Sequence, residues 1–137
     1  MIIKIKSDKE RSKSIINLLK EREELIKTLN NSLFPTTMLE NYYEIIKELI
    51  TAIMYTDGFK TIGEGSHKET IDYLKNYKEF SEYEINILNE LRIKRHGSQY
   101  YGKKPNPEFV KQNEQEFKGI IKKLKDLINK KLQETFK

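Results

Sequence analysis

The sequence predicts an all-α fold, an up-and-down bundle of four to five helices forming one domain over residues 1–137. Two features carry the prediction. Start signals for helices recur along the chain, and between them apolar residues return every three or four positions, the spacing that gathers them on one helix face. The start signal is the capping box, a Ser or Thr followed three residues later by Glu, which satisfies orphan amides of a helix's first turn. It occurs at Ser7 and Glu10, Thr37 and Glu40, Ser66 and Glu69, and Ser81 and Glu84. A fifth start is Asn106 before Pro107, where proline's missing N–H costs nothing.

The first helix is expected over 8–31, with Ile15, Leu18, Leu19, Ile26, Leu29 and Leu33 on its apolar stripe and a turn at 32–35 closing it. The second, over 37–56, carries an apolar arc broader than one face: Leu39, Tyr42, Tyr43, Ile46, Leu49, Ile50, Ile53 and Met54. That breadth predicts the most buried helix, at the centre of the bundle. Asp57-Gly58 ends it, and 59–65 reads as a connection whose Gly63 and Gly65 are turn residues, since the spacing fits no phosphate-binding loop. A short third helix over 67–77 buries Ile71 and Leu74. The fourth follows Phe80, which with Ile85 staples the Ser81 cap, and buries Ile87, Leu88 and Leu91. Gly97 and Ser98 weaken it, and Tyr100-Tyr101-Gly102 ends it. The fifth, over 107–134, repeats the pattern through Phe117, Ile120, Ile121, Leu124, Leu127, Ile128 and Leu132, with Lys118, Lys122 and Lys125 on a solvated outer side. Strand-like alternation is confined to residues 1–6, and 1–7 is expected as a loose N-terminal segment.

Composition narrows the function classes. Cysteine is absent, which removes disulfides, thiolate zinc sites and cysteine nucleophiles. The opening residues are too charged for a signal sequence, and no apolar run reaches the about 20 residues that span a bilayer, so a soluble, cytoplasmic protein with no membrane partner is expected. The net charge of +5 comes from 26 basic residues mixed with 21 acidic ones, a basic tilt without the contiguous block of a dedicated nucleic-acid binder. His67 and His96 are the only histidines, with no metal-binding spacing, so neither a metal nor a cofactor is predicted.

Chemistry concentrates at 89–102. Arg92, Arg95, His96 and Gln99 stand at i, i+3, i+4 and i+7 and share one side of a helix. Arg95 falls between the core-facing Leu88 and Leu91, where a cation requires either a carboxylate partner or an anion such as phosphate in a cleft. His67, just inside the Ser66 cap, reads as an ordinary first-turn surface residue.

Two segments resemble the HEPN domains (higher eukaryotes and prokaryotes nucleotide-binding). One runs from Tyr42-Tyr43 through Gly58 to His67. The other is Leu91-Arg92-x-x-Arg95-His96-x-x-x-Tyr100-Tyr101-Gly102, which is similar to the family's signature helix. The resemblance covers most of the chain. It implies a homodimer pairing two signature helices and, in active members, a metal-independent ribonuclease in which Arg neutralises the scissile phosphate and His moves the 2′-hydroxyl proton. It also implies, for the toxin-antitoxin class, a small nucleotidyltransferase partner.

The sequence departs from the active pattern where the catalytic His most often stands, five residues beyond Arg95; Tyr100 is there, and a phenol is a poor general base at neutral pH. The reading favoured by the sequence is therefore a dimeric module that binds RNA, a nucleotide or a partner protein without efficient catalysis, through Arg92, Arg95, Gln99 and Tyr101. The alternatives are a toxin-like ribonuclease acting through Arg95 with His96 or Tyr100, and a purely structural interaction protein in which Arg95 pairs with a carboxylate such as Glu48 or Glu90.

Overall fold

In a computed structural model, which describes residues 1–29 and 33–134, the chain is a helical bundle with a small sheet at one end. Among the described residues it forms α1 (Lys9–Thr28), α2 (Pro35–Asp57), α3 (Ser66–Asp72), α4 (Glu82–Tyr101) and α5 (Pro107–Gln133). A 3₁₀ turn over Tyr73–Asn76 continues α3, so the third helix expected over 67–77 is a helix followed by a tighter turn. The strands are β1 (Ile2–Lys4) and β2 (Phe59–Thr61).

The centre of the bundle is α2, as its broad apolar arc predicts. From Met38 to Met54 it buries twelve residues, Asn41 among them, and it packs against α1, α5, α4 and α3. At the α1 crossing the two backbones come close over small side chains, where the buried Ser12 hydroxyl donates to the Ala52 carbonyl at 2.6 Å. At the far end of α2, Asp57 gathers three donors. Its carboxylate accepts from Tyr73 at 2.5 Å, from Tyr77, and from the Lys131 ammonium at 2.6 Å. A carboxylate at a helix C-terminus opposes the helix dipole, and these donors offset it while tying α5 and the 3₁₀ turn to α2.

Two of the five start signals act as read. Ser81 accepts from the Glu84 N–H at 3.1 Å while Glu84 accepts from the Ser81 N–H at 2.9 Å, over the buried pair Phe80 and Ile85. Asn106 caps α5 through the Glu108 N–H. The other three shift by one to three residues. Asp8, not Ser7, caps α1, accepting from the Arg11 N–H at 2.9 Å, because the Ser7 hydroxyl is engaged by the Thr56 carbonyl. α2 begins at Pro35, whose fixed φ suits the first helical position, so Thr37 lies inside the helix and not at its cap. α3 starts behind Gly65, at φ 76°, with Ser66 already helical. α1 ends at Thr28 with Leu29 as its cap; the expected end at Asn31 and the turn residue Ser32 lie outside the described residues. Leu18 and Leu33 leave the expected stripe and are exposed, because α1 turns Ile15, Leu19 and Ile26 inward and Leu18 lies about 100° round the helix from Leu19.

The N-terminal segment is not loose at its start. β1 pairs antiparallel with β2, Ile3 opposite Lys60, and the Ile5 N–H donates to the Gly58 carbonyl at 2.8 Å. Gly58 closes α2 at φ 86°, and a Cβ there would stand 2.9 Å from the Ile5 carbonyl oxygen. Glycine is thus required twice, by conformation and by space. α4 runs unbroken through Gly97 and Ser98 to the left-handed Gly102. The outer lysines of α5 pair with acids, Lys118 with Glu114, Lys122 with Asp126, and Lys125 with Glu23 of α1 at 2.6 Å. No helix among the described residues is long and apolar enough to cross a membrane.

Candidate functional site

Leu88 and Leu91 are fully buried, and their inward turn fixes which side of α4 meets the start of α3. Between the two helices lies a cavity of about 420 Å³ lined by Arg92, Arg95, His96 and Tyr100 from α4, and by Glu64, Gly65, Ser66, His67 and Lys68 from the α3 end. The structure thus brings together Arg92, Arg95, His96 and Tyr100. It leaves out two of the residues singled out from the sequence: Gln99 is exposed and does not line the cavity, and Tyr101 turns to a neighbouring cavity beside Lys103 and Lys104. His67, read from the sequence as a plain surface residue, is exposed but belongs to the cavity wall.

The two arginines are held differently. Arg92 donates from Nε to the Asn89 side-chain oxygen at 3.1 Å, and the Asn89 amide donates in turn to Asp72 at 2.9 Å. Asp72 also accepts from Lys68 at 2.6 Å. Burial alone would raise the Asp72 carboxyl, but Lys68 and Asn89 outweigh it and hold it below the usual range, so the chain of contacts ends on a firm negative charge. Arg92 itself forms no ion pair among the described residues, and its two Nη groups carry no hydrogen bond there. Arg95 is only 14 % exposed and donates from Nη2 to Glu44 at 2.9 Å, with its guanidinium 5.1 Å from the Tyr43 ring centre. Its partner is therefore Glu44 and not Glu48 or Glu90, which pair with Lys47 and Lys94. The pairing is through one nitrogen; Arg95 Nε is buried without a partner. Glu44 is shared, for Lys47 stands 3.1 Å from its other oxygen.

Tyr43 links this pair to His67. Its hydroxyl lies 2.9 Å from His67 Nδ1, and the two rings stack with centres 5.9 Å apart. Burial pushes the Tyr43 phenol well above its ordinary range, so the phenol keeps its proton and donates. His67 is pushed the other way, by burial first and then by Lys47 and Arg95, so the ring is neutral near pH 7 and accepts at Nδ1. Its ring proton is then on Nε2, available to an acceptor. His96 packs against Tyr100 at 4.7 Å and edge-on to Tyr101 at 5.5 Å.

No family model matches this chain, and no curated protein or solved structure matches it either.

Chemically, the cavity presents the cations Lys68, Arg92 and Arg95, a neutral imidazole with a free N–H, a second imidazole and a phenol, against the single carboxylate Glu64 in its lining. Planar guanidinium forks with N–H and O–H donors are a set for a phosphate group. Among the described residues no three acidic or histidine side chains cluster as they would around a metal ion. Sequence reasoning missed Tyr43, Glu44 and Lys68. Tyr43 reads as one more aromatic of a buried arc, and only its reach to His67 gives it a polar role. Glu44 is visible as polar, yet nothing local says which cation of another helix it meets.

Proposed function

We propose that the chain is a HEPN-like dimeric helical module whose cleft between α3 and α4 binds a phosphate group of RNA or of a nucleotide, without efficient catalysis. The observation that supports it is Arg92: a half-buried guanidinium in the cavity wall, oriented by Asn89 and Asp72, with no carboxylate of its own among the described residues. A guanidinium held in place at its Nε edge presents its remaining N–H groups without further ordering, which is the arrangement that binds an anion at low entropic cost. Arg95, balanced by Glu44, adds field and rigidity more than net charge. The homodimer rests on the resemblance of 91–102 to the signature helix, and sedimentation of the purified protein tests it.

Ribonuclease activity is the second reading, and one observation favours it: His67 and His96 face the same cavity. Two imidazoles can divide proton removal from the 2′-hydroxyl and proton delivery to the leaving oxygen. The state of His67 argues against an efficient version, since a ring held neutral with its proton on Nε2 donates to a phosphate but is a poor proton source at neutral pH. The purely structural reading requires Arg95 to be fully satisfied inside the fold, and its Nε is not.

Fluorescence anisotropy with a labelled single-stranded RNA, in EDTA and low salt, tests the proposal. Binding that weakens about tenfold or more in Arg92→Ala supports it, that being the size of one lost charge-assisted phosphate contact. Equal binding by both proteins removes it. Electrophoresis of the same RNA after long incubation separates the readings: intact RNA supports binding alone, and cleavage lost in His96→Ala establishes the nuclease.

A further inference from the structure

Beyond the cleft, the C-terminal turn of α4 and the loop that follows it enclose a second cavity of about 360 Å³. Lys94, Tyr101, Lys103 and Lys104 line it, and so does His96, which also lines the first. The two cavities are therefore neighbours across one imidazole, with Tyr100 packed on that ring and belonging to the first cavity and Tyr101 packed on it and belonging to the second.

The second cavity is basic and unbalanced. Lys103 and Lys104 form no ion pair among the described residues, and no carboxylate lines the cavity. Lys94 pairs with Glu90 only at 4.0 Å along α4, and its ammonium also lies 4.8 Å from the Phe109 ring centre. Tyr101 is 69 % exposed, a large ring with little protein over it. The lysines are also placed by the fold. Gly102, at φ 63°, turns the chain back on α4, and the Lys103 N–H donates to the Gly97 carbonyl at 3.2 Å. The Lys103 stem lies against α4 at Gly97, where even an added Cβ would meet it at 3.7 Å, an ordinary packing distance.

An exposed aromatic between two cationic sites is the arrangement that binds a single strand, the ring stacking a base and the cations tracking successive phosphates. We infer that the cavity at Tyr101, Lys103 and Lys104 is a second nucleotide subsite, so that the ligand is a single-stranded RNA running from Arg92 across His96 to the lysines. This rests on the phosphate reading of the first cleft. It excludes a mononucleotide as the preferred ligand, since that leaves the second cavity empty. It also excludes duplex RNA, whose bases are paired and stacked and so withheld from Tyr101.

The test compares uridine 5′-monophosphate with a labelled uridine octanucleotide, by calorimetry and anisotropy, on the full chain. The wild type should bind the octanucleotide more tightly than the monophosphate. Replacing Lys103 and Lys104 together by Ala should weaken the octanucleotide about tenfold or more, lower its salt slope by roughly 1.4, and leave the monophosphate unchanged. Tyr101→Ala should weaken the octanucleotide alone, by about fivefold to a hundredfold. Replacing Lys118 and Lys122, two lysines elsewhere on the surface, is the control for net charge and should have little effect. The inference is overturned if the lysine pair has no more effect than this control, or if the octanucleotide binds no better than the monophosphate. Loss of monophosphate binding in Arg92→Ala keeps the first cleft standing whatever the second does. Failure of the wild type to bind either ligand overturns both.

Discussion

Glu44→Gln changes stability and binding in opposite directions, and the size of each change follows from what Glu44 touches. The carboxylate is 16 % exposed and neutralises two cations, Arg95 at 2.9 Å and Lys47 at 3.1 Å. Removing one member of a largely buried ion pair costs about 3–5 kcal/mol when nothing replaces it. Gln keeps an oxygen to accept from Arg95, and Glu48 still lies 3.4 Å from Lys47, so about 2–3 kcal/mol is expected. At about 2 cal/mol/K of unfolding entropy per residue, that lowers the melting temperature of a chain this long by roughly 7–10 °C. Binding should move the other way. With Glu44 neutral, Arg95 faces the cleft uncompensated, and one unit of charge behind a bound phosphate is worth about 1 kcal/mol, or about fivefold tighter RNA binding. Thermal melting and anisotropy on the same preparation measure both. A variant that melts lower yet binds RNA with unchanged or reduced affinity would refute the reasoning, because Arg95 would then be serving the fold alone.

The remaining predictions concern backbone and protonation. Gly58→Ala forces a side chain into a left-handed position 2.9 Å from the Ile5 carbonyl and should cost about 2–4 kcal/mol in urea unfolding, whereas Gly119→Ala, inside α5 with nothing within 4 Å, should add about 1 kcal/mol. A neutral result for Gly58→Ala would show that the β1 docking yields freely. Because the folded pKa of His67 is below its ordinary 6.5, its contribution to stability is complete above that value and is lost as pH falls from about 6.5 through the folded pKa. Urea midpoints between pH 7.5 and 5 should therefore fall in the wild type and fall less steeply in His67→Gln. Glu84 behaves as a depressed acid: burial raises it, but the Ser81 N–H and Lys123 hold it below its ordinary 4.5. Its stabilisation, present above that pH, should disappear as pH drops through the folded pKa, and acid unfolding followed by circular dichroism should be shallower in Glu84→Gln.

The helices were legible because periodicity and capping are local. Ile85, Leu88 and Leu91 repeat within one element, and Ser81 finds Glu84 three residues away. The strand pair was not, since three residues opposite partners nearly sixty positions distant carry no signal of their own, and 59–61 reads equally well as a turn's exit. In the site, Arg92, Arg95, His96 and Tyr100 could be singled out because they stand on one helix. His67 could not be promoted from an ordinary surface residue, because its role depends on the reach of Tyr43 from α2 and on the repulsion of Lys47 and Arg95, contacts that exist only after three helices have packed. The same holds for Glu44 against Glu48 and Glu90: all three are spaced plausibly, and only the docking of α4 on α2 chooses.

If a phosphate of RNA enters the cleft beside His67 and His96, as proposed, the imidazole resonances of those two residues report on it directly. In a titration with single-stranded RNA at pH 7, both sets should shift and saturate with the binding curve, and His67 should titrate at higher pH in the complex, because a phosphate beside it favours its protonated form. Binding that leaves both imidazoles unmoved would place the RNA elsewhere and contradict the account.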